Sequence, residues 1–452
     1  MLVAGVACVA YVAMCATIGW RVRMRRRRGS RTAGAGGADG TPLLVAYASQ
    51  TGTGEQIARQ TAAALRTAGV PVTLLPFDAL DTATLRATEE ALLIVSTYGE
   101  GDPPDPAAAF VARLQRDEPD LGSLHFGLLA LGDRSYAHFC GFGRGLDAWL
   151  QQRGARPIFP RIDVDKGDAT ALQEWRHRLS HVAGTADLPD WQGPPFESWT
   201  LRARSRLNEG SVGAPLYRID LEPPAGRDAR WEAGDLLQVE APGEPVGRPR
   251  EYSIGSLPAD GAVQLLVRLE CRADGSHGLV SGWLTGQAPP GAPIRARLRS
   301  HANFHIDANA QRDLVLIGNG TGLAGLRAHL KQRLAAHAAG APPRRQWLVF
   351  GERQAAHDGW CMQEIAECER GGVLTRVDLV YSRDAQADRY VQDRLRSEAP
   401  RLREWVAAGA ALYVCGSLEG MAAGVDAALQ EILGPDSLEA LRQQRRYRRD
   451  VY

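Results

Sequence analysis

Cysteine is sparse and ungrouped in this chain. Seven occur in 452 residues, at positions 8, 15, 140, 271, 361, 368 and 415, with no Cys-x-x-Cys pair. The odd count and the scattered spacing give no zinc site, so no metal is expected and reduced thiols in a cytosolic body are the reading. An excess of charge of one sign is also missing: 53 basic and 52 acidic residues leave +1. The balance hides an asymmetry, because Arg21, Arg23, Arg25, Arg26, Arg27, Arg28 and Arg31 carry +7 and leave about −6 for everything else. An acidic body suits docking onto a basic acceptor protein and argues against a nucleic-acid partner. The apolar fraction of 44% and charged fraction of 23% are ordinary for globular protein. The length exceeds that at which one core keeps growing, so two or three domains are expected.

Leu2 to Trp20 is nineteen residues without a charge. As a helix it would span about 28 Å at ~1.5 Å per residue, close to a bilayer's hydrocarbon core. The arginines follow this run, whereas a secretory signal places them before it. Residues 1–28 are therefore expected to be a transmembrane helix with a basic stop, and 29–41 a Gly-rich tether. The positive-inside rule then gives a single-pass protein of the inner (cytoplasmic) membrane with its catalytic domains facing the cytoplasm.

A lysine is missing where it would decide a cofactor. The apolar run Leu43–Ala48 reads as a buried parallel strand and leads into Ser49-Gln50-Thr51-Gly52-Thr53-Gly54-Glu55, after which helical spacing begins. Strand, hydroxyl-and-glycine loop and helix start make an anion cradle. Without the Gly-Lys-Ser/Thr of an ATP loop, it suits a single terminal monophosphate such as that of FMN. Leu92–Val95 is a second strand, followed by Ser96-Thr97-Tyr98-Gly99-Glu100-Gly101-Asp102. Leu128–Leu131 is a third, followed by Gly132-Asp133-Arg134-Ser135-Tyr136-Ala137-His138-Phe139-Cys140. Ligands of open parallel sheets bind beyond the carboxyl ends of such strands.

These three loops resemble the flavodoxin-like FMN domain of the NADPH-dependent diflavin reductases, the family of cytochrome reductase and the sulfite reductase flavoprotein. The resemblance implies an α/β domain over 42–185. It implies that Ser49, Gln50, Thr51, Gly52 and Thr53 hold the FMN phosphate and that Tyr98 and Tyr136 flank the flavin ring. Gly99, Gly101, Asp102, Gly132, Asp133, Phe139 and Cys140 would complete the cradle.

A stretch with three prolines and two tryptophans over 186–199 reads as a linker. Beyond it, alternating runs such as Leu216–Leu221 and Val263–Arg268 read as antiparallel strands of a barrel over 200–310. Between them lies Arg250-Glu251-Tyr252-Ser253, similar to the FAD motif of the ferredoxin-NADP reductase module in the same family. The resemblance places Arg250 on the FAD pyrophosphate, Tyr252 on the ring and Ser253 toward flavin N5, with Gly278 and Ser281 as a second pyrophosphate segment. Leu314–Ile317 is again a buried strand. It opens a second α/β domain over 311–452 through Gly318-Asn319-Gly320-Thr321-Gly322, whose glycines suit a dinucleotide pyrophosphate. Relatives continue with Ala-Pro; Ala324-Gly325 here predicts a looser turn. Arg353, Ser382, Arg383, Arg389, Tyr390 and Gln392 match the NADPH-binding segments, with Ser382 and Arg383 on the 2′-phosphate. Asp388 stands where relatives carry lysine, which predicts weaker selection of NADPH over NADH.

By the same resemblance Ser253, Cys415 and Asp450 form the hydride-transfer site, and Tyr452 is the aromatic that nicotinamide must displace. The expected activity is NADPH to FAD to FMN to a one-electron acceptor, a haem or iron-containing protein or a ferric chelate. A sulfite reductase flavoprotein-type subunit and a membrane ferric-chelate reductase are alternatives, and a non-catalytic flavin-binding sensor is one of another class. About fifty residues separate the linker from Arg250, too few for the helical connecting domain of the larger relatives.

Overall fold

The computed structural model describes residues 42–185, 195–226, 230–243, 249–385 and 387–452. The expected membrane helix and its tether lie outside the described residues.

Alternation decides the first sheet. In β1 (Leu43–Ala48), Leu44, Ala46 and Ala48 enter one apolar cluster while Leu43 and Val45 enter the other. Both faces are thus covered, as a parallel sheet requires. The helices Ala108–Asp117 and Gly141–Gln152 supply Phe110, Leu114, Leu146 and Leu150 to one side. Helices Thr53–Thr67 and Ala169–Ala183 supply Ile57, Leu65, Trp175 and Leu179 to the other. The further strands are β2 (Val72–Pro76), β3 (Glu90–Ser96), β4 (His125–Gly132), β5 (Arg156–Pro157) and β6 (Ile162–Asp165). All pairs are parallel, in the order β2-β1-β3-β4-β5, with β6 also on β4. The chain runs from β1 outward to β2 and then back past it to β3. The ends of β1 and β3 therefore border the switch in strand order, where such sheets bind ligands.

The second sheet is antiparallel: β7 (Glu197–Arg206), β8 (Leu216–Glu222), β9 (Leu236–Val239), β10 (Arg250–Ser253), β11 (Val263–Arg268) and β12 (Pro293–Arg299), in the order β10-β9-β12-β7-β8-β11. A bridge between Ile254 and Leu265 draws its two edges together around Leu201, Ile219, Leu237 and Val263. Trp199, expected in the linker, belongs to this core, and its Nε1 donates to the Ala296 carbonyl at 3.1 Å. The strand starts at Glu197 because that indole is buried, not exposed. Between β7 and β10 the described residues hold β8 and β9 and no helix.

The third sheet is parallel: β13 (Leu314–Asn319), β14 (Gln346–Glu352), β15 (Arg376–Tyr381), β16 (Ala411–Gly416) and β17 (Tyr447–Val451), in the order β15-β14-β13-β16-β17. Its switch lies between β13 and β16.

The membrane location is corrected here. No helix among the described residues is long and apolar enough to cross a membrane. Leu323–Ala338, at 16 residues one of the longest, carries Arg327, Lys331 and Arg333. The run that suggested a span lies outside the described residues, so a single-pass inner-membrane protein is not supported.

Trp175 is fully buried and its Nε1 donates to Thr61 Oγ1 at 3.2 Å, tying two helices over the first sheet. Trp175→Ala is expected to destabilise this unit by about 3–5 kcal/mol, read as a lowered urea midpoint of its flavin fluorescence transition.

Candidate functional site

The loop expected to hold the phosphate, Ser49–Thr53, follows the end of β1. Ser49 Oγ accepts from the N–H groups of Gly52 and Gly54, both at 3.1 Å. Gly52 has φ 85°, a left-handed conformation that suits glycine, and it opens the 15-residue helix Thr53–Thr67. The Gln50 amide is turned aside: its Oε1 accepts from the Asp105 N–H at 2.8 Å and its Nε2 donates to Asp105 Oδ2 at 2.9 Å. Thr51 and Thr53 present their hydroxyls at the loop's mouth, where the Arg299 guanidinium meets them.

The two flanking loops pack on each other. Tyr98 and Asp102 exchange backbone hydrogen bonds of 2.9 Å, closing the turn through Gly99 and Gly101. A Cβ on Gly141 would fall 2.8 Å from Gly101 Cα, so these loops approach backbone to backbone. Gly132 is equally confined, its Cβ position lying 2.8 Å from the Cys140 nitrogen. Cys140 is buried with φ 53°, and burial pushes its thiol up to about 12. Asp133 pairs with Lys166 at 2.8 Å. Tyr136 follows it in the same turn, and Phe139 lies under Arg134 and Arg144. One face of Tyr98 is covered by Arg449, with Cζ 4.4 Å from the ring centre.

On the second sheet, Arg250, Tyr252 and Ser253 lie on β10, paired with Val239, Leu237 and Leu236. Arg250 is exposed, and burial raises the Tyr252 phenol above its ordinary range. Gly278 has no room for a Cβ beside Glu270 and Ser281. Ser281 Oγ accepts from the Glu270 N–H at 3.2 Å, so it neither caps its helix nor stands free.

At the switch of the third sheet, a Cβ on Gly322 would lie 2.1 Å from the Cys415 carbonyl, so a side chain is excluded there. Gly320 and Thr321 complete this turn. Gly325 lies in the helix Leu323–Ala338 that follows, and a Cβ there would fall 3.0 Å from Phe304 Cε1 and 3.2 Å from Cys415 Sγ, so a side chain has little room. Arg353, Ser382, Arg383 and Arg389 gather at the ends of β14 and β15. Arg383 N–H donates to the Arg353 carbonyl at 2.8 Å, and Arg389 Nη2 to the Ser382 carbonyl at 3.0 Å. Among the described residues no carboxylate pairs with Arg383 or Arg389. Asp388 is held by Arg394 at 3.1 Å and Ser397 at 2.8 Å, which spends its charge inside the next helix. Tyr390 is exposed, and the Gln392 side chain lies against Gly424.

Residues far apart in sequence meet between β10 and the ends of β16 and β17. Ser253 Oγ donates to Asp450 Oδ2 at 2.6 Å, and Cys415 Sγ reaches the same oxygen at 3.5 Å. All three are buried. Burial, then the neighbouring carboxylate, raises the Cys415 thiol well above its ordinary range, so it stays protonated at neutral pH. Tyr452 Oη donates to Thr321 Oγ1 at 3.1 Å, which ties the exposed aromatic across the dinucleotide loop.

The two halves touch through residues that the sequence did not single out. Asn303 Nδ2 donates to the Gln50 carbonyl at 2.7 Å, and the His301 ring contacts the same oxygen at 3.1 Å. Arg449 forks onto Asp105, with Nε at 3.1 Å from Oδ2. Burial raises the Asp105 carboxyl, but Arg449 outweighs it and holds the group below its ordinary range. No local motif marks these side chains, since each becomes a partner only when the sheets dock.

The geometry defines a class: a flavin module on a doubly wound sheet, joined to a barrel and a nicotinamide module with a shared buried carboxylate. Comparison with known proteins agrees. Residues 45–177 match the flavodoxin family model and 316–427 the oxidoreductase NAD-binding domain model. The chain is similar to the "Sulfite reductase [NADPH] flavoprotein alpha-component" of Neisseria meningitidis serogroup B, 25% identical with 91% of this chain and 89% of that protein covered. The proteins of that name from Citrobacter koseri (28%) and Escherichia coli O9:H4 (27%) each cover 91% of this chain over 90% of their own length. The chain joins a flavodoxin domain to an oxidoreductase NAD-binding domain, as its diflavin reductase-type relatives do, and its cofactors are FMN, FAD and NADPH.

His305 Nε2 lies 2.6 Å from Asp235 Oδ1, and Asp235 also accepts from the His301 N–H, so this pair fixes the segment leading to Asn303. Burial lowers the His305 pKa, but the Asp235 hydrogen bond overrides it and the net shift is upward. Its contribution to stability is therefore full below about pH 6.5 and fades as pH rises through the raised folded value. The stability difference between wild type and His305→Gln is expected to be larger at about pH 5.5 than at about pH 9, as urea denaturation would show. Arg383→Ala is expected to raise the KM for NADPH roughly ten- to a hundredfold while leaving that for NADH nearly unchanged, read from steady-state kinetics with both cofactors.

Proposed function

We propose that the chain takes hydride from NADPH and delivers electrons, one at a time, to an iron-containing acceptor protein. The flavins supply the change from two-electron to one-electron chemistry. The observation that carries this reading is the meeting of Ser253, Cys415 and Asp450 at bonding distance although they come from β10, β16 and β17. Hydride transfer needs position and exclusion of water more than a strong acid or base. A buried carboxylate that accepts from a hydroxyl and a thiol fixes both donors at the place where flavin and nicotinamide would meet. Gly322 lets the dinucleotide loop close against β16, and Arg383 and Arg389, which have no carboxylate partner among the described residues, are cations available to a 2′-phosphate. That this carboxylate survives intact weighs against a non-catalytic sensor.

The name of the similar proteins supports a sulfite reductase flavoprotein-type role as a second reading, with an iron-containing partner as acceptor. The acidic balance of the body suits a basic docking face on either kind of acceptor. The test is flavin quantitation followed by anaerobic reduction with NADPH. One FMN and one FAD per chain, both reduced, is the expected result; FAD alone or no reduction would end the two-flavin reading. Asp450→Asn is expected to slow flavin reduction by NADPH about a hundredfold through misplacement of Ser253 and Cys415, measured by stopped-flow absorbance.

A further inference from the structure

We propose that Arg299 is the second half of the FMN phosphate site, so that the phosphate is held between the loop Ser49–Thr53 and a guanidinium from the antiparallel sheet. Binding of FMN and docking of the two halves then become one coupled equilibrium. The inference rests on that loop being the phosphate site.

Arg299 ends β12 and reaches into the loop. Its Nη2 donates to Thr51 Oγ1 at 3.2 Å, to Thr53 Oγ1 at 2.7 Å and to the Thr51 carbonyl. These hydroxyls are the groups that the loop offers to an anion. A hydroxyl that accepts from arginine keeps its own proton to donate, so both threonines can bridge guanidinium and phosphate at once. The position that a Cβ on Gly52 would take lies 3.7 Å from Nη2 and 3.9 Å from Nε, so the guanidinium sits directly over the glycine at the helix start.

The Nε donor supplies an independent observation. Arg299 is only 9% exposed, its Nη1 is taken by Glu251, and its Nε is buried with no hydrogen-bond partner. A buried donor without an acceptor is costly, and a charged one more so. Nη2 is engaged by Thr51 and Thr53, which leaves Nε–H as the donor on the same edge for a phosphate oxygen. Here that edge faces the loop, beside the N-terminus of the 15-residue helix Thr53–Thr67.

The loop's shape depends on the same contact surface. Asn303 holds the Ser49 and Gln50 carbonyls, and His301 meets Gln50. A ligand that touches both halves favours the docked arrangement by whatever it gains from the second half. Riboflavin, which lacks the phosphate, would gain nothing from Arg299.

The test uses the full chain stripped of FMN with FAD retained, titrated with FMN or riboflavin by quenching of flavin fluorescence. Wild type is expected to prefer FMN strongly. Arg299→Gln should weaken FMN binding roughly ten- to a hundredfold and leave riboflavin binding unchanged, with Arg299→Lys in between. Small-angle scattering should show FMN compacting wild type, while riboflavin does not, and FMN should not compact Arg299→Gln. Unchanged FMN affinity in Arg299→Gln would overturn the proposal. So would equal weakening of both flavins in both variants, which would make Arg299 a support of the loop and not a phosphate ligand. Equal affinity of wild type for FMN and riboflavin would instead refute the loop itself as the phosphate site.

Discussion

The pairing of β17 with β16 sets Cys415 beside Asp450 and Gly416 beside Val451, and the pleat of the strand does the rest. Alternate residues of β17 serve different partners. Asp450 turns to Ser253 and Cys415, and Arg448 Nη1 donates to the Asn303 carbonyl at 2.8 Å. Tyr447 and Arg449 point the other way, to Asp426 and to Asp105. A one-residue slip would exchange the two sets and bring a guanidinium to Ser253 and Cys415. One register therefore fixes both the cluster of Ser253, Cys415 and Asp450 and the face on which the flavodoxin domain rests. Buried Leu412, Val414 and Tyr447 hold that register, since a slip would also move the Tyr447 ring out of the core.

Arginine dominates the polar ties across that face. Arg299 meets the phosphate loop, Arg445 pairs with Asp78, and Arg449 pairs with Asp105 while covering Tyr98. Lysine supplies only two of the 53 basic residues, Lys166 and Lys331. A guanidinium sheds water more readily than an ammonium and bonds in a plane, so it can enter a half-buried seam and fix an angle. Taking Asp105 and Arg449 out of water offsets much of their mutual attraction, so the pair contributes more to the precision of docking than to its strength.

What the sequence revealed was local. A strand followed by glycines and hydroxyls is legible because the backbone conformation needs those residue types within a few positions, and all three loops of the first sheet stand where that logic put them. Ser253, Cys415 and Asp450 were reached through resemblance, since nothing in their spacing foretells that three dispersed strands meet. Trp199 read as linker because proline-rich surroundings hid a strand whose indole faces a barrel core. Ala324-Gly325 lies in the helix Leu323–Ala338, where the Phe304 ring and the sulfur of Cys415, both remote in sequence, leave Gly325 little room for a side chain. Arg299 and Asn303 gave no signal at all, for their partners lie some 250 residues away in another sheet.

The short connection between β7 and β10 explains why those contacts carry such weight. Alignment with the Neisseria protein runs over 545 positions, more than the 452 residues of this chain, so that protein holds more than ninety residues with no counterpart here. The described residues between β7 and β10 add strands to the barrel and no helical body that could brace the flavodoxin domain. Orientation must then come from the docking faces themselves. Helix Pro435–Gln443 packs on Ala108–Asp117, and the other ties named here are single polar side chains, which water can replace and which leave relative motion of domains as the default. A seam of that sort favours the docked arrangement mainly when a ligand spans it. The FMN phosphate, placed between Thr51, Thr53 and Arg299, would be such a ligand, and the flavin would then order the path through which its own electrons arrive.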